Sequence, residues 1–345
     1  MRRPAAGMAR GGGHGHGAAA TEAARVMRAS VSSFFGGYHC FTTVAALLAL
    51  PFSASVLASS AAAPSSPSLR AVASRLRSVF AAAGFPPSPF FSLLEAKLSQ
   101  TVFTFVATLP FSLTFFLLAK ASVAAMLRDA SSAGAPPRRQ HQRRLALPPC
   151  AAVLRAYPAV AATHLFNAFL MLTVNAAVFS LLLLAFSGAE TLGLTSHSWM
   201  TLALSAAGAI VYSLAVGVAT VVCNLAVVVA ATEQPGSAGG HAAVLRACVA
   251  IRGRVSTALA LALPTNLGMA AAEALFGLRV VARRRMDGGR IKPGVAGEAF
   301  SIAYIHAVCV VLEIIVSCVF YRSCKRSEAD ELRELEPEEK GDLQA

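Results

Sequence analysis

Charge is the first thing this sequence lacks. Only 14% of its 345 residues are Asp, Glu, Lys or Arg, against about a quarter in ordinary soluble domains. A water-facing fold of this length needs that charge to cover its surface, so a large soluble globule is excluded. Acid is the scarcer sign. The first 321 positions hold nine acidic residues: Glu22, Glu95, Asp129, Glu190, Glu233, Glu273, Asp287, Glu298 and Glu313. The other eight follow Tyr321.

Other absences narrow the function. The seven cysteines are odd in number, contain no C-x-x-C and fall partly inside apolar runs, where Cys behaves as a small hydrophobe. That excludes a disulfide framework and a zinc site. No Asn begins an N-x-Ser/Thr sequon, so N-glycosylation is not expected. There is no G-x-S-x-G, H-E-x-x-H, Walker or Rossmann motif, and no soluble segment large enough to hold an active site. An enzyme is therefore not expected, and no cofactor, metal or catalytic residue is assigned.

What is present is apolar sequence in long blocks. Hydrophobic residues make up 56% of the chain. Six runs reach the roughly 20 residues that a helix needs to cross about 30 Å of hydrocarbon. They lie at about 38–60, 101–121, 158–187, 199–232, 255–281 and 299–321. Pro51 and Pro110 fall inside the first two, which membrane helices tolerate because neighbours satisfy the freed carbonyls. The expected fold is an all-α polytopic membrane helix bundle of about six transmembrane helices, with an interfacial helix and disordered termini. Residues 1–33 read as a flexible basic tail, 34–321 as the bundle and 322–345 as a charged tail, helical in part over SEADELRELE. In the 61–100 connection, Leu69, Val72, Leu76, Val79 and Phe80 share one helical face while Arg70, Arg75 and Arg77 stand mostly off it. That pattern predicts a helix lying at the membrane surface.

The net charge of +13 raises nucleic acid as a partner, but the bases flank apolar runs, where they set topology and meet anionic headgroups. The bilayer is the expected partner, with no nucleic acid. Arg138, Arg139, Arg143 and Arg144 are the candidate headgroup contacts. In a six-span arrangement, 20 of the 30 Lys and Arg residues fall on the side of the termini and 10 on the other, which predicts cytosolic termini. The loop with Arg279, Arg283, Arg284, Arg285, Arg290 and Lys292 opposes this. A fifth segment that dips in and returns, at Pro264, Asn266, Gly268 and Glu273, gives an equivalent count of 21 to 9. The membrane is expected to be of the endomembrane system or the plasma membrane. The Arg-rich, acid-poor start gives an organelle membrane, reached by a transit peptide, as the alternative.

Polar groups in hydrocarbon usually face the bundle interior. Glu273 and Asn266 share a face of the fifth segment, seven residues apart, and His306 and Glu313 share one of the sixth. These four form the candidate intramembrane polar cluster, either a structural hydrogen-bonded core or a site for an ion or small solute. Lys120, near the end of the second segment, is expected to snorkel to the headgroups. His164, Asn167 and Asn175 lie in the third segment. Ser205, Ala209, Ser213 and Gly217 recur every four residues in the fourth, a face suited to close helix approach and to self-association. The tetrapeptide Leu-Pro-Phe-Ser occurs at 50–53 and 109–112, too short to establish a repeat.

Several stretches together resemble a family of plant multi-pass membrane proteins of uncharacterised function: RVMRASVSSFF, LLALPFS, KLSQTVF, LPFSLTFFLLAKA, VVCNLAVVVAATE, LRACVAIRGR and FYRSCK. The resemblance covers roughly residues 25–326. It departs at Gln234, where relatives often carry a second acid after the Glu. It implies about six helices, no known activity and no functional residues to carry over. The expected role is accessory, in membrane organisation, trafficking or the binding of another membrane protein. The rival is a small-solute or ion transporter.

Overall fold

The computed structural model describes residues 12–62, 66–82, 89–132, 150–193, 198–233, 239–287 and 292–342. Among these residues there is no strand. Six helices are long and apolar enough to cross a membrane: Tyr38–Ala61, Leu98–Asp129, Ala151–Ala189, Leu202–Thr232, Val255–Met286 and Pro293–Asp330. The protein is a multi-pass integral membrane protein of all-α fold. Most of these spans outrun the apolar segments that mark them. Hydropathy ends where hydrocarbon ends, whereas backbone hydrogen bonding continues for as long as no residue interrupts it.

The fifth span settles one open alternative. Pro264 lies within the helix Val255–Phe276, which continues through a π turn at Gly277–Val281 to Met286. Without a chain reversal the segment cannot dip in and return.

The chain divides into two compact units. The first comprises Met1–Phe35, Ala162–Pro264 and Ile315–Ala345. Its core holds the end of the fourth span, where Cys223, Leu225, Ala226, Val227, Val228, Val229 and Ala231 are buried. The short helix His241–Ile251 packs back on that helix. Residues 12–33, read from sequence as part of a flexible tail, belong to the helix Gly12–Gly36. Ala23, Val26, Ser30 and Phe34 are buried along it at helical spacing, and that seam supplies what a short helix cannot supply alone. The sixth helix continues through the charged tail to Asp342.

The second unit comprises Gly36–Ala161 and Thr265–Ile314. Its first two spans form an antiparallel hairpin: the start of the first meets the end of the second. Each copy of Leu-Pro-Phe-Ser adjoins a π turn, Ala45–Ala49 before the first and Ser112–Phe116 from the end of the second. A proline removes one helical hydrogen bond and crowds the preceding turn, and a π turn absorbs the misfit. Tyr157 Oη donates to the Leu113 carbonyl in this region, at 2.8 Å. Phe52 stacks on Phe116 with ring centroids 4.5 Å apart. Leu57, Ala272, Phe276, Val280, Val295, Ile302 and Ala303 form an apolar core among the first, fifth and sixth spans. The amphipathic helix is Pro67–Ala82. It packs on Pro89–Phe111, with Leu69, Val72 and Leu76 half-buried and Val79 exposed.

Candidate intramembrane polar site

The second unit brings polar side chains together at membrane depth. His306 of the sixth span is 3% exposed. Its Nδ1 is 2.9 Å from Ser53 Oγ of the first span, which is fully buried. Its Nε2 is 3.8 Å from Glu273 Oε1 of the fifth span. One imidazole thereby ties three spans. Ser53 thus stands at hydrogen-bond distance from one ring nitrogen, and a carboxylate approaches the other. Gly268 reinforces the fit of the fifth helix on the sixth, since a Cβ there would stand 3.3 Å from Cys309 Sγ.

Glu313 lies two helical turns beyond His306, about 10 Å along the axis. It is half-buried, and the positive groups that reach it electrostatically are Lys120 and His306. Lys120 corrects the sequence reading. The second helix does not end near residue 121 but runs on to Ser132. Lys120 is packed among protein neighbours, 4% exposed, with Nζ 4.4 Å from the centre of the Phe116 ring. It is buried among its neighbours and does not snorkel. A cation over an aromatic face gains electrostatic stabilisation that grows as water is excluded. The signal available in the sequence was the combination Phe116 and Lys120, four residues apart on one helical face.

Of the four candidate cluster residues, the structure sets Glu273 3.8 Å from His306, places Glu313 two turns further along the sixth helix and leaves Asn266 exposed on the fifth helix. Glu273 is itself half exposed. The candidate headgroup residues Arg138, Arg139, Arg143 and Arg144 lie outside the described residues. Of the six bases in the opposing loop, Arg283 pairs with Glu298 at 2.9 Å and Lys292 with Asp287 at 2.7 Å. Among the described residues no group of three or more His, Cys, Asp or Glu could hold a metal ion.

A second polar assembly lies in the first unit, and the sequence reading did not single it out as a site. Arg254 binds Glu22 of the N-terminal helix at 2.9 Å and Ser327 of the sixth helix at 2.6 Å. Arg246 pairs with Glu233, and Tyr321 Oη donates to the same carboxylate at 3.4 Å. The Gly240 backbone N–H donates to Thr163 Oγ1 at 2.9 Å. This junction thus gathers the N-terminal helix, the connection between spans four and five, and the end of span six. Gly253, at φ +80°, makes the turn that aims Arg254, a backbone conformation open to glycine at little cost. CNLAVVVAATE, IRGR and FYRSCK all contribute to it. Asn167 and Asn175 of the third span bond to the fourth, Asn167 Nδ2 to the Cys223 carbonyl at 2.7 Å and Asn175 Oδ1 from Tyr212 Oη at 2.6 Å. On the fourth span, Gly217 approaches Leu259, while Ser205, Ala209 and Ser213 are exposed.

Residues 23–335 match the family described as Domain of unknown function (DUF8558). No curated protein and no solved structure matches the chain. The chain belongs to the DUF8558 family.

Proposed function

We propose that this DUF8558 member is a non-enzymatic accessory protein of the endomembrane system or plasma membrane, with both termini in the cytosol, that organises or binds other membrane components. One observation carries this reading: the buried polar groups at membrane depth face one another. Lys120 lies over the Phe116 ring within electrostatic reach of Glu313, and His306 has Ser53 at 2.9 Å and Glu273 at 3.8 Å. Such pairing stabilises helix packing, whereas a conduction path needs polar groups turned to a common opening. The gathering of the N-terminal helix, the fourth-to-fifth connection and the end of the sixth helix agrees with six crossings and termini on one side. The charge asymmetry then assigns that side to the cytosol.

The test is a flux assay on the protein in proteoliposomes, with a panel of small ions and a pH gradient, alongside protease protection of tagged microsomes. Accessible tags at both ends and no flux above empty liposomes are expected. Proton-linked flux abolished by Glu313→Gln would replace the accessory reading. A protected C-terminal tag beside an accessible N-terminal one would overturn the topology.

The transport reading has one observation in its favour. Glu273 is half exposed and stands 3.8 Å from buried His306, so polar groups lead from the outside of the bundle inward. Loss of flux in Glu273→Gln, in a variant that folds, is the result this reading requires.

A further inference from the structure

The fifth helix has two unlike faces. Gly268 meets Cys309 of the sixth helix, so its face is occupied within the chain. Gly277 has nothing within 4 Å of the place a Cβ would take. On the side of Gly277, Asn266, Leu267, Ala270, Glu273 and Ala274 are exposed, recurring at intervals of three and four residues. That is the spacing of a helix seam. Asn266 lies about 7 Å before the middle of the span Val255–Met286 and Glu273 about 4 Å beyond it, at 1.5 Å per residue. An exposed amide at such depth lacks what a polar group in hydrocarbon requires, whereas the Glu273 carboxyl has His306 3.8 Å away.

We infer that this stripe is the contact surface for a second copy of the chain, with Asn266 as its central polar pair. Two copies inserted the same way round are related by an axis along the membrane normal, so their fifth helices run parallel and equal residues meet. A carboxamide both donates and accepts, so Asn266 satisfies itself across such an axis. A lone carboxylate or lysine cannot do this, and a heterologous partner would need no such self-complementarity. Asparagine at a seam also fixes register. Ala270, Ala274 and Gly277 let the backbones approach, and the open space at Gly277 is the room the second helix fills. Seven residues from Asn266 to Glu273 return the seam to the same line. The small-residue face of the fourth span, the other candidate for self-association, offers only small side chains and hydroxyls.

The inference stands apart from the accessory and transport readings, and its assay does not touch either. Full-length protein carrying donor or acceptor dyes at a C-terminal tag is reconstituted in phosphatidylcholine liposomes at graded protein-to-lipid ratios. Energy transfer is expected to fall with dilution along a monomer–dimer curve. Asn266→Leu and Gly277→Leu each weaken the dimer by about tenfold, the scale of one interhelical hydrogen bond or one lost close approach. Ser205→Leu with Ser213→Leu leaves it unchanged. If Asn266→Leu fails to fold, Ala270→Leu, on the same exposed stripe, is read in its place. With the native cysteines replaced by Ala, Leu267→Cys cross-links two copies under mild oxidation, and Leu214→Cys does not. Transfer absent at every ratio, or a dimer broken by the fourth-span changes and indifferent to the fifth-span ones, overturns the inference.

Discussion

The two polar assemblies use the same chemistry in different solvents. In the second unit, Lys120, Glu313, His306 and Ser53 lie within helices long and apolar enough to cross a membrane, and Lys120 and His306 are almost wholly buried. In the first unit, Arg254, Glu22, Arg246 and Glu233 sit at the ends of the spans, where each side chain keeps between 19% and 48% of its surface exposed. At depth, an ion that loses its partner has no water to replace it. At the boundary, water and salt take over part of the work. The depth cluster should therefore be what the bundle cannot lose, and the junction what sets the arrangement of its ends.

The sharpest way to break that distinction is to strip the buried charges singly and together. Lys120→Leu takes the ammonium away from Glu313, and Glu313→Leu takes the carboxyl away from the buried ammonium. Each should destabilise by about 3–5 kcal/mol, the cost of an uncompensated buried charge. The double variant should recover most of the loss, since two apolar residues of similar volume suit the site. Thermal melting of the purified protein in detergent checks this. Single variants that melt within a degree or two of the parent would mean that the cluster is hydrated, and the contrast between the two regions would fail.

Arg254→Ala should come next in size. It removes bonds from a partly buried guanidinium to Glu22 and Ser327, charge-assisted interactions worth about 1.5–3 kcal/mol. Its distinctive consequence is local: the helix Gly12–Gly36 loses its tie to the fifth and sixth helices. Limited proteolysis should cut within residues 12–36 faster than in the parent, while the spans stay protected. Equal cutting rates would show that the Ala23, Val26 and Phe34 seam holds the helix unaided.

The ranking reflects how much each region shows in sequence. The six spans were legible because hydropathy is a local property, and 20 apolar residues in a row have few other uses. The continuity of the fifth span was not, because Pro264 and Gly268 interrupt a hydropathy profile more than they interrupt a helix packed on its neighbours. Of the cluster, the placement of His306 and Glu313 on one face of the sixth helix showed through their seven-residue spacing. Its links to Ser53 and Lys120 join residues more than 180 positions apart, and no periodicity records such a contact. Lys120 was misread because hydropathy put the end of the second segment beside it and carries no record of the protein packing that leaves it 4% exposed. The junction was hidden differently. Its arginines stand where topology alone already calls for positive charge, so their count showed, but their partners Glu22, Glu233 and Ser327 did not.

Gly253→Ala sharpens the comparison within the junction. At φ +80° a side chain costs about 1–3 kcal/mol of backbone strain. The turn can relax only by moving Arg254. The variant should therefore reproduce part of the Arg254→Ala proteolysis pattern with both ionic partners intact. A melting change without that pattern would separate the strain of the turn from the aiming of the arginine.

The smallest effect should come from Arg246→Gln. Arg246 is 48% exposed, while its partner Glu233 is only 19% exposed. An ion pair open to water on one side contributes about 0–1 kcal/mol, because Coulomb attraction is screened and two long side chains must be held still. Glu233 also keeps the hydroxyl of Tyr321, so the carboxylate is not orphaned when the guanidinium goes. The expected loss is under about 1 kcal/mol and should shrink further in 0.5 M salt, where the Debye length falls to roughly 4 Å. Melting the parent and the variant at low and high salt reads both quantities. If Arg246→Gln costs as much as Lys120→Leu and salt makes no difference, this end of the bundle is as dry as its middle, and burial by protein rather than depth in the membrane governs what a charge is worth in this fold.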